Sequence, residues 1–261
     1  MILRGYYGSD VLHTTINVQF ITPDKPKGPY KVVYLLHGLH GNQGTWIDRT
    51  MLPCYCSDYD AVFVMPDVGR SFYCNQKYGR KFFSFVSEEL PQISRNIFNI
   101  SAKREDTAVM GCSMGGYGAL KLALTKPEQF SFCGSIAAAC VYLRPMLDGL
   151  RLSDGADSFR KKGPEEEEIL NDIYSVYGEE LEYLPENDIS ELLKIFPADK
   201  PMPKIYSTCG TEDNLRKENL DLRDDMKKRA FDFTYEEWKG GHDWYFFSDA
   251  LKKTLDVWYK R

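Results

Sequence analysis

The stretch 111–116 reads GCSMGG and sets Ser113 between glycines, directly after the apolar run at 106–110, DTAVM. A serine hydroxyl so placed can attack a carbonyl carbon, provided a general base takes its proton. Gly-x-Ser-x-Gly is short enough to arise by chance, and a turn serine with incidental glycines is the structural alternative. The flanks argue for the nucleophile. A sharp strand-to-helix turn strains the serine backbone and is tolerated where the residues two before and two after lack side chains, as Gly111 and Gly115 do. The run GGYGALKLALTK that follows has a helical apolar face in Ala119, Leu120, Ala123 and Leu124, and Pro127 marks its far end. Such a turn aims the hydroxyl and the helix N-terminus at one spot.

The base must be His13, His37, His40 or His242, the four histidines of the chain. His13 falls in an N-terminal edge strand, remote from the place where Ser113 emerges. His37 and His40 belong to LLHGLHGN, where the useful chemistry is that of backbone N–H groups and His37 bonds within its own loop. His242 lies in KGGHDWYFF, between the last expected strand and the last expected helix. That position suits the order serine, then acid, then histidine, of α/β-hydrolases. The acid should close a strand between them, and in KIYSTCGTEDN Asp213 is preferred, with Glu212 as its competitor and a helix N-cap as the structural reading. An oxyanion formed on attack needs two N–H donors. Met114 follows the nucleophile, and Leu39 lies in the loop after KVVYLL.

These residues need a frame. Short β-branched runs alternate with stretches of helical period, the signature of an α/β fold with a mostly parallel sheet and helices on both faces. Strands are expected at 13–21, 31–36, 61–65, 106–111, 132–138, 204–209 and 231–237, with helices at 79–98, 113–125, 215–229 and 243–259. The Pro- and Gly-rich PDKPKGP at 23–29 suits an antiparallel hairpin at the sheet edge, which makes the sheet mixed. Residues 141–203 break the rhythm with six prolines and an EEEE run at 165–168, read as a helical insertion whose acidic run is a solvated helix N-terminus. The expectation is a single domain over 1–261 carrying this insertion as a small lid.

A net charge of -5, from 33 basic and 38 acidic residues, leaves no basic stripe for a phosphate backbone, so no nucleic-acid partner is expected. The N-terminus lacks a signal-peptide pattern and no run approaches the roughly 18 apolar residues of a membrane helix. A soluble cytoplasmic protein with no membrane partner is the expectation, unless a leader has been removed. Seven cysteines cannot all pair, and Cys112, Cys133, Cys140 and Cys209 sit in or beside apolar runs as free thiols would. Cys54 and Cys56 form only C-x-C, with no His or second pair nearby, so no metal site is expected.

The chain resembles the esterase D family of α/β-hydrolases, and within it the branch of tributyrin esterases and related acetyl or feruloyl esterases. The matching segments are SDVLHTTINVQFITP, VVYLLHGLHGNQGTWI, VMPDVGRSFYCNQKYG, VMGCSMGGYGALKLAL, CGTEDNL and GGHDWYFF, which cover most of the chain outside 141–203. The resemblance implies the α/β-hydrolase fold, triad positions at Ser113, Asp213 and His242, oxyanion donors at Leu39 and Met114, and a variable lid that sets substrate choice. S-formylglutathione hydrolases belong to the same family, with a histidine before the serine and another after the paired glycines. This chain has Cys112 and Tyr117 there, which points away from a glutathione thioester.

The expected activity is that of a serine carboxylesterase acting on short-chain acyl or aryl esters (acetyl, butyryl, feruloyl), including those of acylated sugars, with no cofactor. A thioesterase or acyltransferase using the same triad is the alternative, and a non-catalytic binding protein of the same fold is a further one. Association into a homo-oligomer is left open. Trp46, Tyr73 and Asn75, in loops at the same sheet edge, are expected to border the substrate, as is Tyr142 of the insertion. Phe159, Tyr174 and Tyr177 are candidates for an acyl or aryl pocket, with ordinary core packing as the competing reading.

Overall fold

A computed structural model describes residues 1–24, 28–229 and 231–260. Eight strands form one sheet in the order β1-β2-β4-β3-β5-β6-β7-β8. They are β1 (Ile2–Ser9), β2 (Thr14–Ile21), β3 (Lys31–Leu36), β4 (Ala61–Pro66), β5 (Thr107–Cys112), β6 (Phe132–Ile136), β7 (Lys204–Gly210) and β8 (Phe233–Trp238). From β4 to β8 every pairing is parallel, while β2 is antiparallel to both β1 and β4. This is the mixed α/β-hydrolase sheet. The all-apolar run of β3 belongs at its centre because both faces there are covered. Val32, Tyr34 and Leu36 pack into one core and Val33 and Leu35 into the other, and each fully buried side chain contributes about 1.5–3 kcal/mol of burial free energy.

Two expectations at the N-terminal edge are corrected. The hairpin is β1–β2, in register from Ile2↔Ile21 to Ser9↔Thr14, so β2 is interior to the sheet and does not pair with β3. The turn expected at 23–29 includes residues 25–27, which lie outside the described residues. His13 lies in the β1–β2 turn at φ 51°, not in a strand. Strand β1 itself is invisible to a propensity reading because Gly5 and Gly8 interrupt it.

The expected helix at 79–98 is a helical run that starts at Phe82, passes through a π-helical turn, Phe85–Glu89, and ends with Leu90–Ile97. The helices Met114–Thr125, Arg216–Lys227 and Trp244–Tyr259 fall where their period places them. Between β6 and β7 the chain folds into Leu143–Leu150, Gly155–Arg160, Pro164–Tyr177 and Ile189–Lys194. Among the described residues no helix is long and apolar enough to cross a membrane.

Candidate active site

Ser113 occupies the turn between β5 and the helix Met114–Thr125, at φ 55° and ψ −121°. This left-handed conformation costs a non-glycine residue of order 1–3 kcal/mol and persists only where the surroundings enforce it. They do so here by hydrogen bonds. Ser113 N–H donates to Ile136 O at 2.8 Å, and Tyr117 N–H and Ala139 N–H both donate to Ser113 O, at 3.1 and 3.2 Å. Close approach explains the flanking glycines. A Cβ on Gly111 would lie 2.4 Å from Gly115 O, and one on Gly115 would lie 2.4 Å from Leu36 O, so neither position admits a side chain.

The loop after β7 and the loop after β8 bring acid and base to this turn. His242 Nε2 is 2.9 Å from Ser113 Oγ, and His242 Nδ1 is 2.8 Å from Asp213 Oδ2. The carboxylate can only accept, so Nδ1 carries the proton and the Nε2 lone pair faces the serine hydroxyl. The Asp213 side chain is fully buried, and its second oxygen accepts the Leu215 N–H at 2.7 Å. Asp213 therefore closes the turn before its helix and holds the imidazole at once. Glu212, the competitor in the sequence, is 60% exposed and lies 4.0 Å from Lys239. Two backbone hydrogen bonds stitch the acid and base loops together, Thr211 N–H to Trp238 O and Glu212 N–H to Gly240 O, each 2.9 Å. The edge of the imidazole stands against Phe247, with centroids 5.0 Å apart and planes at 88°.

The loop after β3 lies against the nucleophile turn, since a Cβ on Gly38 would sit 3.5 Å from the Ser113 Cβ. Gly41 N–H donates to Gly38 O at 2.9 Å and makes this loop a tight turn around Leu39. His37 is buried beneath it. Its Nε2 accepts the Val68 N–H at 3.1 Å, which leaves the proton on Nδ1 to donate to Gly38 O at 2.8 Å. Desolvation holds its pKa below the ordinary imidazole range, against the opposing pull of that carbonyl and of Asp67. His37 thus stays neutral and structural. His40 is exposed and meets Glu165 at 3.1 Å, so the acidic run at 165–168 touches this loop as well as solvent.

The four expected substrate-wall residues are turned to the scaffold. Trp46 is 0% exposed and donates its indole N–H to Leu36 O at 3.0 Å. Tyr73 is also 0% exposed, its hydroxyl on His37 O at 2.9 Å. Neither has surface to offer a ligand, and this corrects their assignment. The half-buried Asn75 uses both ends of its amide on Ser84, each at 3.0 Å, and the Tyr142 hydroxyl donates to Asp225 at 2.9 Å. Loop position identified the right sheet edge without telling which way each side chain turns.

The insertion instead walls a small apolar cavity of about 10 Å³ beside the serine turn, lined by Phe72, Tyr117, Cys140, Leu143, Ile173 and Tyr177 among others. Room for about one water or methyl group remains. Phe159 and Tyr174 pack on the main core. Tyr117 is fixed behind the cavity by its hydroxyl on Asn187 O at 2.6 Å, and buried Lys121 reaches Asn187 Oδ1 at 2.5 Å. Residues on the helix Arg216–Lys227 anchor the entry to the insertion. Glu218 accepts the Val141 N–H at 2.6 Å, and Asn219 exchanges two hydrogen bonds with the Ala138 backbone, at 3.1 and 3.0 Å. In the sequence these two are only the polar face of an amphipathic helix.

Comparison with known proteins shows the family and fold of the chain. Residues 9–256 match the model of the esterase family described as "Putative esterase". An acetyl esterase of Caldicellulosiruptor saccharolyticus is 30% identical over 267 residues, covering 97% of this chain and 95% of that protein. The substrate-bound fluorophosphonate-binding serine hydrolase F of Staphylococcus aureus superposes with a TM-score of 0.83 at 26% identity, covering 99% of this chain and 98% of the other. An S-formylglutathione hydrolase of the same organism gives 0.81 at 27% identity, with the same coverage. With nearly its whole length matched by the family model, the chain belongs to this esterase family and is a carboxylic ester hydrolase of the α/β-hydrolase fold.

Proposed function

We propose that the protein is a serine carboxylesterase for esters of short acyl groups, acetyl foremost, working through Ser113, His242 and Asp213. The continuous chain of contacts from Ser113 Oγ through the imidazole to the buried Asp213 carboxylate carries this reading. His242 Nε2 takes the hydroxyl proton as Ser113 Oγ bonds to the ester carbonyl carbon. The resulting oxyanion is held by the N–H groups of Leu39 and Met114, each such donor contributing about 3 kcal/mol to the transition state. Asp213 keeps the imidazole in the reactive tautomer and stabilises the imidazolium. The ester C–O bond then breaks, and the departing alcohol takes the proton from His242. Water repeats the sequence on the acyl-enzyme and releases the acid. Protons balance among these residues, the substrate and water.

The acyl group would lie toward the cavity lined by Phe72, Tyr117 and Ile173, whose size supports a short chain. The acetyl esterase relative supports the same acyl class. The test is a panel of acetyl, butyryl and feruloyl sugar esters with S-formylglutathione, run on the wild type and Ser113→Ala. Acetyl and butyryl esters should lead, and the variant should lose nearly all turnover. Preference for the thioester, or a variant that keeps most of its activity, would overturn the reading.

A further inference from the structure

One buried side chain links the acid loop to the nucleophile turn by a route separate from the imidazole. Asn219, one turn into the helix Arg216–Lys227, is 1% exposed. Its side-chain oxygen accepts the Ala138 N–H at 3.1 Å, and its amide nitrogen donates to Ala138 O at 3.0 Å and to Leu215 O at 2.9 Å. A backbone N–H can only donate and a carbonyl can only accept, so these partners fix which end of the amide is which. Both of its N–H donors are engaged. A buried amide satisfied in this way holds the two backbone segments at a set distance.

One segment leads to the acid and the other to the serine. Leu215 donates its N–H at 2.7 Å to Asp213 Oδ1, the carboxylate oxygen that His242 does not use. Ala138 is followed by Ala139, whose N–H donates to Ser113 O at 3.2 Å and so helps to enforce the left-handed backbone of the nucleophile. No hydrogen bond along this path exceeds 3.2 Å. The segment between needs such a hold. Ala137 and Cys140, on either side of it, have φ of 46° and 57°, in the left-handed region that side chains disfavour. Ala138 also abuts the helix that Ser113 opens, since a Cβ on Gly116 would stand 3.2 Å from the Ala138 Cα. Glu218 acts one step further out, on Val141 N–H at 2.6 Å and Tyr142 N–H at 3.3 Å, and so holds the insertion instead.

We infer that Asn219 is a positioning residue for the ester hydrolysis, fixing the spacing between Ser113 and Asp213 into which the His242 ring fits. The ring spans that gap with 2.9 Å on the serine side and 2.8 Å on the acid side. A shift of either end therefore lengthens a hydrogen bond on the proton path, and misplacement by about 1 Å can cost about a hundredfold in rate. Neither Ala138 nor Leu215 is among the residues lining the apolar cavity, so the effect belongs to kcat and not to KM. The inference rests on the Ser113–His242–Asp213 reading, since it names a residue that sets the geometry of that triad.

The test measures p-nitrophenyl acetate hydrolysis and the rate of Ser113 labelling by diisopropyl fluorophosphate, located by peptide mass, in the wild type and Asn219→Ala. Per labelled site, kcat should fall between about tenfold and about a hundredfold, with KM within about twofold and labelling slowed in parallel. Unchanged kcat and labelling in Asn219→Ala overturn the inference. So does a loss confined to KM, or one that vanishes on normalisation to the labelled serine, because only the amount of folded protein would then have changed. Should Asn219→Ala fail to fold, Asn219→Asp carries the same test with the same outcomes. It keeps the size and the bond from Ala138 N–H, and it loses at least one of the two donated bonds. A wild type whose Ser113 is not labelled overturns the triad reading and this one with it, whereas normal wild-type labelling with no change in the variants overturns the role of Asn219 alone.

Discussion

Arg70 Nε donates to Asp172 Oδ2 at 2.7 Å and ties the loop after β4 to the helix Pro164–Tyr177. Each partner is close to a wall of the small apolar cavity, Phe72 two residues beyond Arg70 and Ile173 next to Asp172. Burial raises the Asp172 pKa, and the Arg70 guanidinium opposes that rise. The contact sets the distance between two cavity walls that are remote in sequence.

Arg70→Ala should therefore relax the cavity. We expect the ratio of kcat/KM for butyrate over acetate esters to rise on the order of tenfold, the scale at which one or two methylenes are discriminated in an apolar pocket. The melting temperature should fall by about 2–4 °C, as for loss of about 1 kcal/mol in a chain of this size. Steady-state kinetics on a series of p-nitrophenyl esters and a thermal melt check both. An unchanged chain-length profile would mean that the walls hold without the ion pair.

The difference between such contacts and the proposed triad explains what could be read from the sequence. Ser113, Asp213 and His242 each lie in the connection after a strand, in an order that the parallel topology converts into proximity, and the glycines at 111 and 115 report a steric demand met within the motif itself. Arg70 and Asp172 are 102 residues apart, and nothing local marks either as a partner. Trp46 shows the complementary failure. It follows β3 at the expected sheet edge, but in the short helix Thr45–Arg49 and not in a loop, and its indole turns inward to donate to Leu36 O. Strand β1 is not legible in the sequence because Gly5 and Gly8 put no side chain at two of its positions, although the alternation of exposed and half-buried residues runs through both.

The choice between Asp213 and Glu212 was open in the sequence and has a direct kinetic test. Asp213→Asn should lower kcat by about 10⁴-fold, because an amide can donate to Nδ1 and so favours the wrong tautomer. Glu212→Gln should stay within about twofold, since that side chain lies at the surface beside Lys239. Single-turnover acylation by p-nitrophenyl acetate distinguishes the two. Equal losses in both variants would remove the Asp213 assignment.

His37 should give the fold a marked sensitivity to acid. Desolvation depresses its pKa in the folded protein below the ordinary 6.5, so the folded state keeps the ring neutral, while the unfolded chain binds a proton at the ordinary value. The sign follows from the proton count. Stability is complete above pH 6.5 and is lost as pH falls from there through the folded pKa, with a slope of up to about 1.4 kcal/mol per pH unit for one proton. Urea midpoints measured at pH 7.5, 6.5 and 5.5 should decline more steeply in the wild type than in His37→Gln. The comparison is one of slopes, because His37→Gln also perturbs the bonds to Val68 N–H and Gly38 O and so lowers stability at every pH. Parallel slopes would show that the ring does not control the acid response, and the loop bearing Leu39 would then owe its neutrality to some other group.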